Sequence, residues 1–381
     1  MRFKRLGFAP AFLTALIVTV FAPALPALAD NGSALPTITT EDSAPPAVHV
    51  AASDAHIRYE GRFDTSDPAG PRCSWSASQV RMKFSGTALD VELTESSGSN
   101  DEYEVAVDGQ PAAVLIPQEG AHTYRVYDGS GTHTLALVKR TEAFCGIGQI
   151  RGFYLSADGK LLDPDKAPNR GIEVVGDSIS CGYGNEGKNQ YEHFSPATEN
   201  AYLTYGAIAS RDLGAQYSCV AWSGRKMWPN NTMPSIYDLA LPTDTSSHWD
   251  FSKWKPDVVV INLSTNDWGG GAPDEAGWTA AYEAFIQRVR QNYPKATIYC
   301  STSPMMGGEG YTQSQTYLTK IVGDENASGD KKVHLLLIPT QDINKDGIGS
   351  DWHPSVATHA KDAALLEAAI EHDLGWKPTS H

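Results

Sequence analysis

The chain has 381 residues, 41% apolar and 20% charged, with a formal net charge of −15. That length holds more than one ordinary domain, and the apolar share is too high for a disordered chain. The acidic balance argues against a nucleic-acid or anionic membrane surface, since both need clustered Lys and Arg, and it leaves a neutral partner.

Arg2, Lys4 and Arg5 precede an apolar stretch over 12–25, and Ala27-Leu28-Ala29 stands before Asp30. This is the pattern of a secretory signal peptide over 1–29. Pro23 and Pro26 lie in the stretch and no second long apolar run follows, so a membrane anchor is set aside. Cleavage would remove three positive charges and no acid, leaving −18 on the chain. The expected location is extracellular or periplasmic, with no membrane partner after cleavage. Export places Cys73, Cys145, Cys181, Cys219 and Cys300 in an oxidising compartment, and the odd count leaves at least one unpaired within the chain. A Cys73–Cys145 bridge is the first expectation; the alternative is that the cysteines are small buried hydrophobes. No spacing fits a zinc site.

Residues 30–48, rich in Pro, Ser, Thr and Ala, read as a flexible linker. From 49 to 165 the pattern is two-periodic. Val80, Met82 and Phe84 alternate with Arg81 and Lys83; Leu89, Val91 and Leu93 follow Gly86. Val105 and Val107 lead to a turn at Asp108-Gly109, and Leu135 alternates with Leu137. Short strands between Gly and Asp turns predict an all-β sandwich. Over 166–381 apolar runs at 172–175, 217–222, 258–263, 297–300 and 333–338 alternate with helix-period segments. Tyr282, Phe285, Ile286 and Val289 share one helix face, and a last helix follows Pro354. This predicts a three-layer α/β domain around a parallel sheet.

Ligands of such sheets bind at the carboxyl ends of the strands. The first strand there runs into Gly176-Asp177-Ser178-Ile179, the second into Trp222-Ser223-Gly224, and the third into Ser264-Thr265-Asn266-Asp267; Asp351-Trp352-His353-Pro354 follows the last. A serine needs an imidazole to take its proton, and the imidazole needs an orienting group. Ser178, His353 and Asp351 supply these types, and the N–H groups of Ser178 and Gly224 with the Asn266 amide supply donors for an oxyanion. The set suits acyl transfer to water. Ser180 stands where an α/β-hydrolase elbow has its second Gly, so a lipase elbow is not indicated.

Gly176-Asp177-Ser178-Ile179-Ser180-Cys181-Gly182-Tyr183-Gly184, with Thr265-Asn266-Asp267 and Asp351-Trp352-His353-Pro354, resembles the SGNH (GDSL) hydrolase superfamily. More narrowly the chain is similar to carbohydrate esterase family 2, which joins a small jelly roll to an SGNH domain. Tyr59-Glu60-Gly61-Arg62-Phe63-Asp64 and Lys139-Arg140-Thr141-Glu142 carry that likeness in the sandwich. The resemblance implies a cofactor-free acetylesterase acting on sugars, often at the 6-position, with Ser178, Gly224, Asn266 and His353 at the superfamily positions. Three departures stand out. Ser264 and Lys226 replace usual glycines, and Ser350 occupies the usual acid position three residues before His353. Asp351 is then the expected orienting acid, with a backbone carbonyl as the alternative.

Asp342-Ile343-Asn344-Lys345-Asp346-Gly347 resembles half an EF-hand loop, but its twelfth position is His353 rather than Glu, so a polar turn delivering His353 is expected and no metal. Eight of nine tryptophans follow residue 200. Trp268 and Trp352 adjoin the site and are expected to line a sugar or acetyl subsite, or else to pack the cleft floor. The expected activity is a secreted O-acetylesterase for neutral polysaccharides such as xylan or mannan. The alternatives are a broad short-chain acyl esterase and a carbohydrate-binding protein with an inert hydrolase centre.

Overall fold

Two long strands organise the N-terminal half of the computed structural model, which describes residues 35–39 and 48–379. The signal peptide expected over 1–29 lies outside the described residues, as does most of the expected linker. The strands in order are β1 (Thr37–Ile38), β2 (Val48–Ala51), β3 (Arg58–Glu60), β4 (Arg72–Cys73), β5 (Gln79–Glu95), β6 (Tyr103–Val107), β7 (Gln110–Leu115), β8 (Gly120–Lys139), β9 (Gly148–Leu155) and β10 (Lys160–Leu162). The two runs expected on either side of Gly86 are one strand, β5, paired along its length with β8. The register shifts between Gly86 and Ala88, opposite Gly131, and both glycines have positive φ. Such a bulge bends both strands together. Beyond the bend β5 meets β9; before it, β3 and β10. The folded sheet closes on Phe84, Leu89, Val91, Tyr124 and Phe153, all buried. β1, inside the segment expected to be linker, pairs in parallel with β7.

The second half carries β11 (Gly171–Gly176), β12 (Gln216–Ala221), β13 (Val258–Asn262), β14 (Thr297–Ser301) and β15 (Val333–Leu336), all parallel in the order β12-β11-β13-β14-β15. Its helices are α1 (Ser178–Cys181), α2 (Tyr205–Asp212), α3 (Glu275–Asn292), α4 (Gly308–Ser328), α5 (Ile343–Asp346) and α6 (Val356–Leu374). Strand side chains alternate between faces. Ile172, Val174, Val258 and Val260 pack with Ala209 of α2 and Leu366 and Ile370 of α6. Val175, Val259 and Ile261 pack with Phe285 and Ile286 of α3 and Leu318 of α4. Helices therefore cover both faces, the three-layer arrangement expected. Among the described residues no helix is long and apolar enough to cross a membrane.

The two halves share their interior. Ala77, Ala106, Ala136 and Val138 of the sandwich belong to the cluster that holds Ile172 and Leu366, while Trp75 and Ala143 belong to the cluster of α3. Arg62 crosses between them, its Nη2 lying 3.2 Å from Oε2 of Glu173 on β11. Glu173 also accepts hydrogen bonds from the Tyr237 hydroxyl (2.7 Å) and the Tyr293 hydroxyl (3.3 Å). The Arg62 guanidinium stands over the Tyr237 ring at 4.7 Å and donates to the carbonyl of Tyr237.

The expected Cys73–Cys145 bridge does not form. All five cysteines are buried free thiols, and Cys73, Cys181, Cys219 and Cys300 belong to the apolar clusters, as small hydrophobes do. The Lys139 ammonium lies under the segment that Cys145 ends, bonded to Asp101 (2.5 Å) and to the carbonyls of Thr141 (3.0 Å) and Glu142 (3.1 Å).

Candidate active site

β11 is followed at once by α1, a single helical turn. A Cβ on Gly176 would lie 2.1 Å from the Ser180 hydroxyl oxygen, so glycine is what lets the chain turn so sharply. Asp177 caps the turn, its carboxylate accepting from the Ile179 N–H at 3.1 Å. Ser178 is thereby set at the edge of the crevice where strand order reverses between β11 and β13. It is 6% exposed, and its Oγ lies 2.8 Å from Nε2 of His353.

The histidine arrives from a strained turn. Asp351 (φ 48) and Trp352 (φ 67) are consecutive left-handed residues, a conformation costing about 1–3 kcal/mol at each non-glycine position. Their neighbours hold the turn: the Ser350 N–H donates to the Gly184 carbonyl (2.9 Å) and the Asp351 N–H to the Glu192 carbonyl (3.0 Å). The carbonyls of Ser350 and Asp351 then face Nδ1 of His353 at 3.2 and 3.1 Å. A carbonyl can only accept, so Nδ1 carries the proton and Nε2 presents its lone pair to Ser178. The Tyr183 ring lies against the imidazole, centroids 4.2 Å apart.

The Asp351 carboxylate does not reach the imidazole, contrary to the expected role. It accepts from the Tyr183 hydroxyl (2.8 Å) and the Phe194 N–H (3.0 Å), and it pairs with Nδ1 of His193 (2.8 Å). The left-handed turn points the side chain outward and the main-chain carbonyl inward. Residue 351 thus meets the ring through its backbone.

Burial pushes the His353 pKa down to about 4, only partly opposed by the two carbonyls. The imidazole is therefore neutral and ready as a base across the ordinary pH range. kcat/KM for an ester should keep its value from pH 7 down to pH 5, with the histidine limb near 4; a limb at about 6.5, the ordinary histidine value, would contradict this geometry. The unfolded chain binds the extra proton between those two values. The stability contributed by the neutral ring is thus whole above about pH 6.5 and lost as pH falls toward 4.

The remaining loops are tied to one another. Gly224 (φ 75) follows β12 by way of Trp222 and Ser223, in a conformation that suits glycine. The Asn266 amide, after β13, donates to the Asp177 carboxylate (3.2 Å) and to the Arg225 carbonyl (3.0 Å), joining the nucleophile's turn to the Gly224 loop. Asp267 accepts from the N–H groups of Met227 (3.1 Å) and Trp228 (2.9 Å). Burial, with the charges of Asp267 and Glu142, raises the Asp177 carboxyl to about 7. Glu142 reaches the site from the sandwich and accepts the Ser223 N–H at 2.7 Å.

Trp268 packs edge-on against Trp278 (5.2 Å) and lines a groove of about 490 Å³ with Thr265, Met305, Met306 and Gln313. Trp352, beside His353, is 51% exposed and meets the ring of Tyr191, itself 75% exposed. The sequence reading missed Tyr183, Asp267 and Glu142 as site neighbours. All three lie in quoted motifs, Tyr183 in the run from Gly176, Asp267 in Thr265-Asn266-Asp267 and Glu142 in Lys139-Arg140-Thr141-Glu142, but only the fold shows what they touch. The half EF-hand pattern forms the short helix α5, and among the described residues one buried cluster, Glu142, Cys181 and Glu199, has metal-ligand spacing.

Comparison with known proteins agrees with this architecture. Residues 59–164 match the profile of the carbohydrate esterase 2 N-terminal family, and residues 174–361 that of the GDSL-like lipase/acylhydrolase family. The chain is 42% identical over 328 residues to a cellulase/esterase, CelE, of Acetivibrio thermocellus, covering 84% of this chain and 40% of that protein's length. It is 26% identical over 338 residues to an acetylxylan esterase/glucomannan deacetylase of Cellvibrio japonicus, covering 86% of this chain and 91% of the relative. Among solved structures, a family two carbohydrate esterase from Clostridium thermocellum in complex with cellohexaose superposes with a TM-score of 0.81 at 42% identity, over 84% of this chain and 99% of the other. The chain belongs to carbohydrate esterase family 2.

Proposed function

We propose that this carbohydrate esterase is a secreted O-acetylesterase acting on neutral polysaccharides of the xylan or mannan type, with the 6-O-acetyl group as its preferred target. The observation that carries the reading is the 2.8 Å contact between Ser178 Oγ and a neutral His353 whose other nitrogen is fixed by carbonyls. Ser178 Oγ attacks the acetyl carbonyl carbon while its proton passes to Nε2. The negative charge on the former carbonyl oxygen is met by the main-chain N–H groups of Ser178 and Gly224. The Asn266 amide, expected as a third donor, gives its two hydrogens to Asp177 and the Arg225 carbonyl and so ties the loops of the hole together. Collapse breaks the bond to the sugar oxygen, which leaves with the proton from His353. Water, deprotonated by the same imidazole, then splits the acetyl-enzyme and releases acetate. No step calls for a metal or cofactor.

The test is acetate release from acetylated xylan and glucomannan by the purified protein, with the residual acetyl groups followed by NMR. Loss of 6-O-acetyl signals first is expected; their persistence while O2 or O3 signals vanish overturns the regiochemistry. The charge of −18 expected on the chain after signal cleavage favours neutral polymers over pectin or alginate, and a preference for an acetylated acidic polymer would refute that part.

The exposed Trp352 beside His353 offers a flat face for a sugar ring. Trp352→Ala should raise KM for acetylated oligosaccharides about three- to tenfold, the worth of one aromatic stacking contact, and leave hydrolysis of p-nitrophenyl acetate nearly unchanged. Equal loss on both substrates would show that the ring supports the His353 turn and not the sugar.

A further inference from the structure

We infer that Glu142, a residue of the sandwich, is a positioning residue for the oxyanion loop at Gly224. This rests on the esterase reading above and adds a second task to the N-terminal half, completion of the catalytic centre.

Gly224 has the freest backbone available to a residue, and it stands at a positive φ of 75°. A donor on such a residue stabilises an oxyanion only if something else fixes its direction in advance. The preceding residue is what is fixed. Both of its donors go to Glu142: the Ser223 N–H donates to Oε2 at 2.7 Å, and the Ser223 hydroxyl donates to Oε1. Glu142 lies 81 positions earlier in the chain, so this is a contact between the two halves of the fold.

Glu142 is itself immobilised. Its N–H donates to Glu199 Oε2 (2.9 Å), its carbonyl accepts from the buried Lys139 ammonium (3.1 Å), and it is fully enclosed. Two residues back, the Arg140 carbonyl accepts from the Ala201 N–H at 2.9 Å and its guanidinium pairs with Glu104 at 2.7 Å. The Glu199 carboxyl lies beside that of Glu142, and its pKa is pushed well up by burial first and by the Glu142 charge second. Burial raises the Glu142 carboxyl as well, and it is the convergence of both Ser223 donors that marks Glu142 as the accepting carboxyl of the pair. Lys139, Arg140 and Glu142 of one four-residue motif therefore act as anchor, clamp and tip of a single strap.

The readout is steady-state kinetics on acetylated oligosaccharides, with melting temperature as the fold control. An oxyanion donor acts in the transition state, so its misplacement lowers kcat and spares KM. Glu142→Ala should lower kcat about 10²-fold, the low end for loss of one donor, with KM within about twofold. Glu142→Gln keeps an acceptor for the Ser223 N–H and should recover most of that loss. Ser223→Ala removes the hydroxyl contact without touching the sandwich; combined with Glu142→Ala it should cost no more than Glu142→Ala alone. Unchanged kcat in a folded Glu142→Ala protein overturns the inference. So does a Glu142→Gln protein as slow as the alanine variant, or additive losses in the double variant. Should Glu142→Ala not fold, the Ser223→Ala and Glu142→Gln pair decides alone. Absence of turnover by the wild-type protein would instead defeat the esterase reading itself.

Discussion

Replacing Ser178 by alanine should lower kcat/KM for acetate esters by about 10⁴-fold or more, whereas Asp351→Asn should cost less than about tenfold. The first outcome follows from loss of the nucleophile that sits 2.8 Å from the base. The second separates two ways of orienting a histidine. In a carboxylate triad the Asp→Asn change leaves the ring in the wrong tautomer and costs about 10⁴ in kcat. Here the Asp351 carboxylate bonds to Tyr183, His193 and Phe194, and Nδ1 instead faces the main-chain oxygens of residues 350 and 351. Asparagine keeps an oxygen for the Tyr183 and Phe194 contacts and leaves the backbone in place. Hydrolysis of p-nitrophenyl acetate by both variants checks the pair. A 10⁴-fold loss in Asp351→Asn would restore the carboxylate as the orienting group.

Arg62→Ala should destabilise the protein by about 3–5 kcal/mol, the cost of leaving one member of a buried ion pair without its partner. Glu173 is fully enclosed at the middle of β11, and without the guanidinium its charge has only the Tyr237, Tyr293 and Ser218 hydroxyls to face. Arg62→Met with Glu173→Gln removes both charges and keeps the hydroxyls occupied, so it should regain much of the loss. Urea denaturation of the three proteins is the measurement, and a change below about 1 kcal/mol in Arg62→Ala would show that the pair contributes little.

Much of the α/β half was legible because fully buried parallel strands are nearly continuous apolar runs. The five expected strands agree with β11 to β15 within a residue or two. α4 was not legible: only Ser314, Leu318, Ile321 and Glu325 are buried along its 21 residues, and two of those four are polar. The long strand β5 was divided at Gly86 because a glycine in an alternating run reads as a turn, whereas here it is a bend in one strand.

At the site, residue types and spacing brought Ser178, His353, Gly224 and Asn266 to one edge of the sheet. What spacing could not carry was the conformation of residue 351. In an extended loop its carboxylate and the imidazole lean the same way, but a left-handed pair of residues inverts which group faces inward. The contacts of Glu142 were hidden for a different reason. They span 81 positions and join two regions that composition and periodicity describe separately.

The shared interior described for the two halves bears on inheritance. Many accessory sandwiches can be exchanged between enzymes as cassettes, because their cores close on themselves and the joint is a linker. Here Ala77, Ala136 and Val138 sit among Ile172, Val174 and Leu366, and Arg62 ends on Glu173. A recombination event near residue 165 would cut one apolar cluster in two, strand a glutamate inside a sheet and remove the support of Ser223. The sequence on either side of that point is therefore constrained to change together.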